Sequence, residues 1–394
     1  MKYSLLTRLT GLLLVAGFLH SCASSRVNLD NLIENDRYQE ALAEIDARLD
    51  DDPAQPSLYI QKGEILAEQA QNSPVMERGS LYDQTIQAFD QAASYEATDA
   101  QMSTIDDLKQ QYWELEHNAG MDAFEQQGMN NRYQTAIAHF QNAISIKDDE
   151  MQCYRNLAIA QYKIGEVDAA IDNLNIAKGL ADEVPTEIFE HLGFLYLEKG
   201  NTEQAIYYYT LANEKVENNL NLAFGLTNAY IAAGQHEKAA EILEGLVERY
   251  PQNADIRNVY GTQLYEITAG IMEDLKTAYM DRDTTLAGQI RFEAEGMGDS
   301  AEDQLISAYK RDTLKTDYIE SLAVFYNNMA GQYFSALDAA FETDQDYLLD
   351  KALSLIDFAV EYYEKLIDMD PQNREYQSKL NILQNLKENR SNPN

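Results

Sequence analysis

Three stretches decide how this chain folds: LAIAQYKIGEVDAAIDNLNIAK at 157–178, LGFLYLEKGNTEQAIYYYTLAN at 192–213 and LTNAYIAAGQHEKAAEILEGLV at 226–247. Laid over one another, they place Gly165, Gly200 and Gly234 in one column, spaced by 35 and 34 residues. Five residues after each glycine stands an alanine: Ala170, Ala205 or Ala239. Four further on comes a large apolar residue (Leu174, Tyr209 or Leu243), and then Ala177, Ala212 or Leu246. Positions four and seven apart share a helical face, so each unit reads as two amphipathic helices joined at a glycine. Glycine there permits the positive φ of a tight turn. Pro53, Pro251 and Pro371 each predict the end of a preceding helix.

The same offsets extend outward with looser spacing. Arg37-Tyr38-Gln39-Glu40-Ala41 echoes Arg132-Tyr133-Gln134-Thr135-Ala136. Tyr82, Ile86, Phe89 and Ala92 echo Tyr133, Ile137, Phe140 and Ala143. Near the end, Ala359, Tyr363, Leu366 and Pro371 repeat the offsets of Ala239, Leu243, Leu246 and Pro251.

In repeat length and residue types the pattern resembles the tetratricopeptide repeat, most closely over 151–253, where three units run without insertion. The resemblance implies an all-α fold, a right-handed α-solenoid of about eight stacked helix hairpins. Irregular units occupy 27–150, two units with long insertions occupy 254–372, and a capping helix and tail occupy 373–394. Leu264, Ile267, Ile271, Leu275 and Ala278 keep helical spacing in the first insertion, and Met329, Tyr333, Leu337 and Phe341 keep it in the second. Two elongated hairpins are therefore expected, projecting roughly 20 Å past the array at about 1.5 Å per residue. Gly296 and Gly298 are expected near a break, and 281–300 reads either as helix or as a loop. The closing helix is expected from about Arg374 to Lys387.

The N-terminus has Lys2 and Arg8, an apolar run from Leu12 to Leu19, and then Leu19-His20-Ser21-Cys22. This is the layout of an export signal, with an apolar run too short to span a bilayer. Leu19, Ser21 and Cys22 resemble a bacterial lipobox, from which His20 departs. The resemblance implies a signal at 1–21, lipidation of Cys22 and a short linker at 22–26. Ala23-Ser24-Ser25 carries no aspartate beside the cysteine, which by the same resemblance favours a periplasm-facing place on the outer membrane. Val27, Leu29 and Leu32 are expected to supply the first helix, holding the array within roughly 15 Å of the membrane.

The formal net charge is −36 and the mean hydropathy −0.46. So acidic a chain lacks the cationic footprint that nucleic acid requires. Its acidity reads either as a solvated surface or as a steering field for a basic partner. His117, His139, His191 and His236 show no pair at metal-ligand spacing. Cys153 reads as a small buried hydrophobe. Asp281-Arg282-Asp283 and Asp368-Met369-Asp370 begin like calcium loops but lack the glycine and glutamate that complete one. No phosphate loop or nucleophile elbow is present, so neither an enzyme nor a cofactor is expected.

By resemblance, the first helix of each hairpin lines a partner-binding groove. In the regular units those residues are Arg155, Ile159 and Tyr162, then Glu190, Phe194 and Leu197, then Phe224, Asn228 and Ile231. The stripe is apolar and aromatic, suited to an extended segment or amphipathic helix of another protein. The lysine, arginine and asparagine cluster with which some tetratricopeptide domains grip a C-terminal carboxylate is not expected: Arg155 and Asn228 are present, but Ile159, His191, Asn221 and Gly225 occupy its other positions. The function implied is a lipid-anchored scaffold or adaptor for envelope proteins. The alternative is a periplasmic binding protein whose array forms a pocket for a small molecule or exported substrate.

Overall fold

The computed structural model describes residues 29–35, 37–212 and 219–391. The signal segment, Cys22 and Val27 lie outside the described residues. Among those described there are 17 α-helices and no strand. The chain divides into two compact units, Met1–Glu166 and Val167–Asn394.

The first unit runs α1 (Leu29–Glu34), α2 (Tyr38–Asp51), α3 (Pro56–Gln71), a 3-10 turn (Val75–Glu77), α4 (Gly79–Ser94), α5 (Asp99–Glu125), α6 (Arg132–Ile146) and α7 (Met151–Lys163). The second runs α8 (Val167–Leu180), α9 (Thr186–Glu198), α10 (Thr202–Leu211), α11 (Leu220–Ala232), α12 (His236–Arg249), α13 (Ala254–Met280), α14 (Thr284–Tyr309), α15 (Thr316–Leu337), α16 (Glu342–Met369) and α17 (Arg374–Ser391). Antiparallel neighbours pack as hairpins: α3 on α4, α5 on α6, α9 on α10, α11 on α12, α13 on α14, α15 on α16.

The glycine column has the expected geometry. Gly165, Gly200 and Gly234 take φ of +86°, +73° and +68°. After each, the next amide returns to a carbonyl five residues back: Glu166 to Gln161 at 3.0 Å, Asn201 to Tyr196 at 2.8 Å, Gln235 to Tyr230 at 2.9 Å. This satisfies the orphan carbonyls of the helix end in a Schellman arrangement. Helix starts are capped locally as well. Asn201, Asn253 and Asp283 accept from the amides of Gln204, Ile256 and Leu286 at 3.1, 3.1 and 2.9 Å.

The small-residue columns sit at the helix crossings, where Ala170, Ala205 and Ala239 are fully buried. Tyr209 is wedged between two glycines. A Cβ added at Gly193 would stand 2.9 Å from its ring, and one at Gly225 would stand 2.5 Å away. At the start of the first unit Leu29 and Leu32 of α1 are buried with Ala41, Ile45 and Leu49 of α2 and Ile65 of α3. Each large apolar side chain buried this way contributes about 1.5–3 kcal/mol.

In the second unit α13 and α14 have 27 and 26 residues, α15 and α16 have 22 and 28. At about 1.5 Å per residue the longest span roughly 40 Å, twice the length of the regular helices. Their tips are tied together: Asp344 Oδ2 accepts from the Tyr279 hydroxyl at 2.9 Å and lies 3.1 Å from Arg291 Nη1. Tyr347 donates to Glu295 at 2.7 Å, and the Arg291 guanidinium lies 5.3 Å from the Tyr347 ring centre. The expected break at Gly296 and Gly298 does not occur, and α14 runs unbroken through both. Its Ala287, Ala294, Ala301 and Leu305 are buried in the unit's main core, and Ala308 is fully buried as well. That packing outweighs the loss of about 1 kcal/mol per helical glycine. α17 closes the unit. Its Leu383 is buried, Lys387 pairs with Asp357, and the Arg390 guanidinium lies 5.2 Å from the Phe334 ring centre.

Candidate functional site

Gly193, Thr227, Gly261 and Ala323 are all buried and occupy the same position of α9, α11, α13 and α15. Each fixes what its helix offers on either side. One residue onward stand Phe194, Asn228, Thr262 and Val324. Phe194 is 36% and Val324 39% exposed, and Asn228 is exposed too. Three residues before the column stand Glu190, Phe224, Asn258 and Glu320, and four after it Leu197, Ile231, Tyr265 and Asn327.

The predicted groove residues therefore fall into two kinds. Phe194 and Asn228 present surface, whereas Leu197 and Phe224 are half-buried and pack against the core formed by Leu222, Leu226 and Leu243. Glu190 is half-buried, and that burial, reinforced by Glu187, raises its carboxyl above the ordinary value. Arg155, Ile159 and Tyr162 lie on α7 in the first unit, all half-buried, and Arg155 Nε is buried without a hydrogen-bond partner among the described residues.

The same columns continue beyond the three regular units, on α13 and α15. Between these helices lies a cleft of about 350 Å³ lined by Thr262, Tyr265, Glu266, Asp317, Glu320, Val324, Phe325 and Asn328, among others. A signal for part of it was available, since Thr262 and Tyr265 follow Asn228 and Ile231 by the same 34 residues. Asn258 Nδ2 donates to Ser321 Oγ at 3.0 Å across the two helices, leaving Asn258 Oδ1 buried and without a partner among the described residues. A second cleft, of about 910 Å³, opens among Thr210 of α10, Ala223, Leu226 and Tyr230 of α11, and Lys238, Ile242 and Arg249 of α12.

The first unit holds a buried polar cluster that no motif announced. Glu116 is fully buried and receives Arg78 Nη1 at 2.9 Å, the Tyr82 hydroxyl at 2.8 Å and Asn142 Nδ2 at 3.3 Å, while His139 Nδ1 lies 2.7 Å away. Burial alone would raise the Glu116 carboxyl. The bonds from His139, Tyr82 and Arg78 outweigh it and hold the group below its ordinary value. Arg78 also donates to the carbonyls of Ser73 and Gln71 at 2.9 and 3.1 Å, and Asn142 to that of Val75 at 3.0 Å. The cluster thus pins the irregular 72–78 connection to α4, α5 and α6, a structural task. His117 stacks on Trp113 with centroids 4.8 Å apart, and His236 Nδ1 lies 2.9 Å from Gln263 Oε1. Cys153 is fully buried, and burial pushes its thiol up to about 12, far from nucleophilic use.

The sequence profile described as Tetratricopeptide repeat matches residues 196–261, the stretch that carries the Gly200 and Gly234 turns. The chain contains tetratricopeptide repeats. No curated protein sequence matches significantly. Solved tetratricopeptide-type structures overlay parts of the chain. YrrB, described as a TPR protein with an unusual peptide-binding site, is 19% identical, with 61% of this chain and 96% of that one covered at a TM-score of 0.40. PilF of Pseudomonas aeruginosa is 12% identical, with 68% and 97% covered at 0.43. MamA is 16% identical, with 52% and 94% covered at 0.39. Superpositions this loose carry nothing about the function of this repeat protein.

Proposed function

We propose that this tetratricopeptide-repeat protein is a lipid-anchored adaptor of a bacterial cell envelope, holding partner polypeptides on the first-helix face of its second unit. The observation that carries the docking reading is the outward column of that face, Phe194, Asn228, Thr262 and Val324, whose two apolar members are solvent-exposed, Phe194 at 36% and Val324 at 39%. An extended segment or a partner helix buries such positions at intervals, while neighbouring amides and carboxylates fix its register. The anchoring reading rests on Lys2, Arg8, the apolar run and Cys22, and the outer-membrane, periplasm-facing location on Ala23-Ser24-Ser25.

Two measurements test the proposal. Growth with an alkynyl palmitate should label the wild type and not Cys22→Ser, and equal labelling would remove the anchor. Cross-linking in intact cells followed by detergent extraction should recover one stoichiometric protein partner. That partner should be lost in Phe194→Glu/Val324→Glu, a variant expected to melt like the wild type. Retention of the partner in that variant would move the docking face elsewhere. A second reading, a small-molecule binder, draws on the cleft of about 910 Å³ at α10–α12, a volume typical of ligand pockets. A small molecule in native mass spectra, with no protein partner, would favour it.

A further inference from the structure

Deepening the docking reading above, and resting on it, we infer that the cleft between α13 and α15 receives a lysine or arginine side chain of the partner polypeptide. Its floor is Tyr265 and Phe325, both buried, with ring centroids 6.0 Å apart in edge-to-face contact. Its rim carries three carboxylates, Glu266 from α13 with Asp317 and Glu320 from α15, and Val324 supplies an exposed apolar wall. No lysine or arginine lines it. None of the three carboxylates has an ion-pair partner among the described residues.

The same unit shows what such an arrangement holds. Lys365 lies 4.4 Å from the Tyr362 ring centre and 5.4 Å from that of Tyr309, with Glu361 at 2.7 Å. Lys315 lies 4.5 Å from the Tyr318 ring centre and pairs with Asp255. Arg291 covers Tyr347 beside Glu295 and Asp344. In each case an aromatic ring and a carboxylate are completed by a cation from the chain itself. The α13–α15 cleft has the rings and the carboxylates without the cation. The neighbouring cations are committed elsewhere: Lys315 to Asp255, Arg257 to Gln304 Oε1 at 2.7 Å, Arg311 to the carbonyl of Pro251 at 2.8 Å. A metal ion is a poor occupant, since no three acidic, histidine or cysteine side chains among the described residues converge closely enough to hold one. An organic cation on an aliphatic stem fits better. Its stem covers Val324, its charge meets the rim, and the overall charge of −36 draws it in.

The test selects a random dodecapeptide display library on the immobilised full chain, on Glu266→Gln/Asp317→Asn/Glu320→Gln, and on Phe194→Glu/Val324→Glu. Peptides selected on the wild type should be enriched about fivefold in lysine and arginine over those selected on the triple variant. An enriched peptide labelled with fluorescein should bind the wild type about tenfold more tightly than its norleucine counterpart. That advantage should vanish in the triple variant and in half-molar salt. Equal binding of lysine and norleucine peptides, or full lysine binding by the triple variant, overturns the inference. If peptides without cationic enrichment are recovered and lost on Phe194→Glu/Val324→Glu, the docking face stands and this inference alone falls. Recovery of no peptide above background overturns both.

Discussion

The Phe140 ring lies so close over Gly120 that a Cβ on the glycine would stand 2.6 Å from Cε1 and 2.8 Å from Cδ1. Phe89 covers Gly63 in the same way, at 2.4 and 2.8 Å. Both phenylalanines are fully buried, so neither ring has room to withdraw. Helix pairs α5–α6 and α3–α4 therefore approach to a separation that only glycine allows. Gly270 in α13 has nothing within 4 Å of where its Cβ would be. Gly120→Ala is expected to destabilise by about 1–3 kcal/mol through overpacking, despite the better helix former. Gly270→Ala is expected to stabilise by about 0.5–1 kcal/mol. Urea unfolding of the two variants checks the opposite signs.

Glu116 should make the first unit acid-sensitive. Its carboxyl titrates below the ordinary value in the fold, so its stabilisation is complete above the unfolded carboxylate value, near pH ~4. It is lost as pH falls through the lower, folded value. Glu116→Gln leaves Arg78 without its buried counter-charge and is expected to cost about 3 kcal/mol at pH 7. The gap between variant and wild type should narrow on acidification. Thermal melts followed from pH 7 down to pH 3 measure it, and a gap independent of pH would show that the charge is not what matters.

The tips of the long hairpins depend on Asp344, which receives Tyr279 and pairs with Arg291. Asp344→Ala is expected to loosen the tips by about 1 kcal/mol, or roughly fivefold faster amide exchange across 275–290. Exchange at the hairpin bases, around Leu264 and Leu366, should stay unchanged. Mass-spectrometric hydrogen exchange resolves the two regions.

Cys153 should be silent until the first unit opens. With its thiol raised to about 12, the thiolate fraction at pH 8 is about one in ten thousand, and the sulfur is fully buried as well. Iodoacetamide at pH 8 should leave the Cys153 peptide unmodified in native protein and modify it completely in denaturant. Native labelling would mean that α7 detaches readily.

The repeat was legible because its signals are local. Gly165, Gly200 and Gly234 take the positive φ that their spacing demanded, and the alanines five residues on are buried at the crossings. The groove was half legible. Phe194 and Asn228 lie open, but Leu197 and Phe224 of the same stripe pack inward, since helical spacing gives a face and not its depth. The α13–α15 cleft was missed because the 62 residues from Thr262 to Val324 break the 34-residue register that would have pointed to it.

The sequence by itself determined the helix hairpins, their turns and their small-residue crossings, because each depends on residues within one turn or one repeat of each other. Tertiary structure alone decided that Glu116 is buried among Arg78, Tyr82, His139 and Asn142, partners 23 to 38 residues away. It also decided that α14 runs straight through Gly296 and Gly298. Desolvation and packing are set by neighbours brought from other helices, and no local pattern records which neighbours those will be.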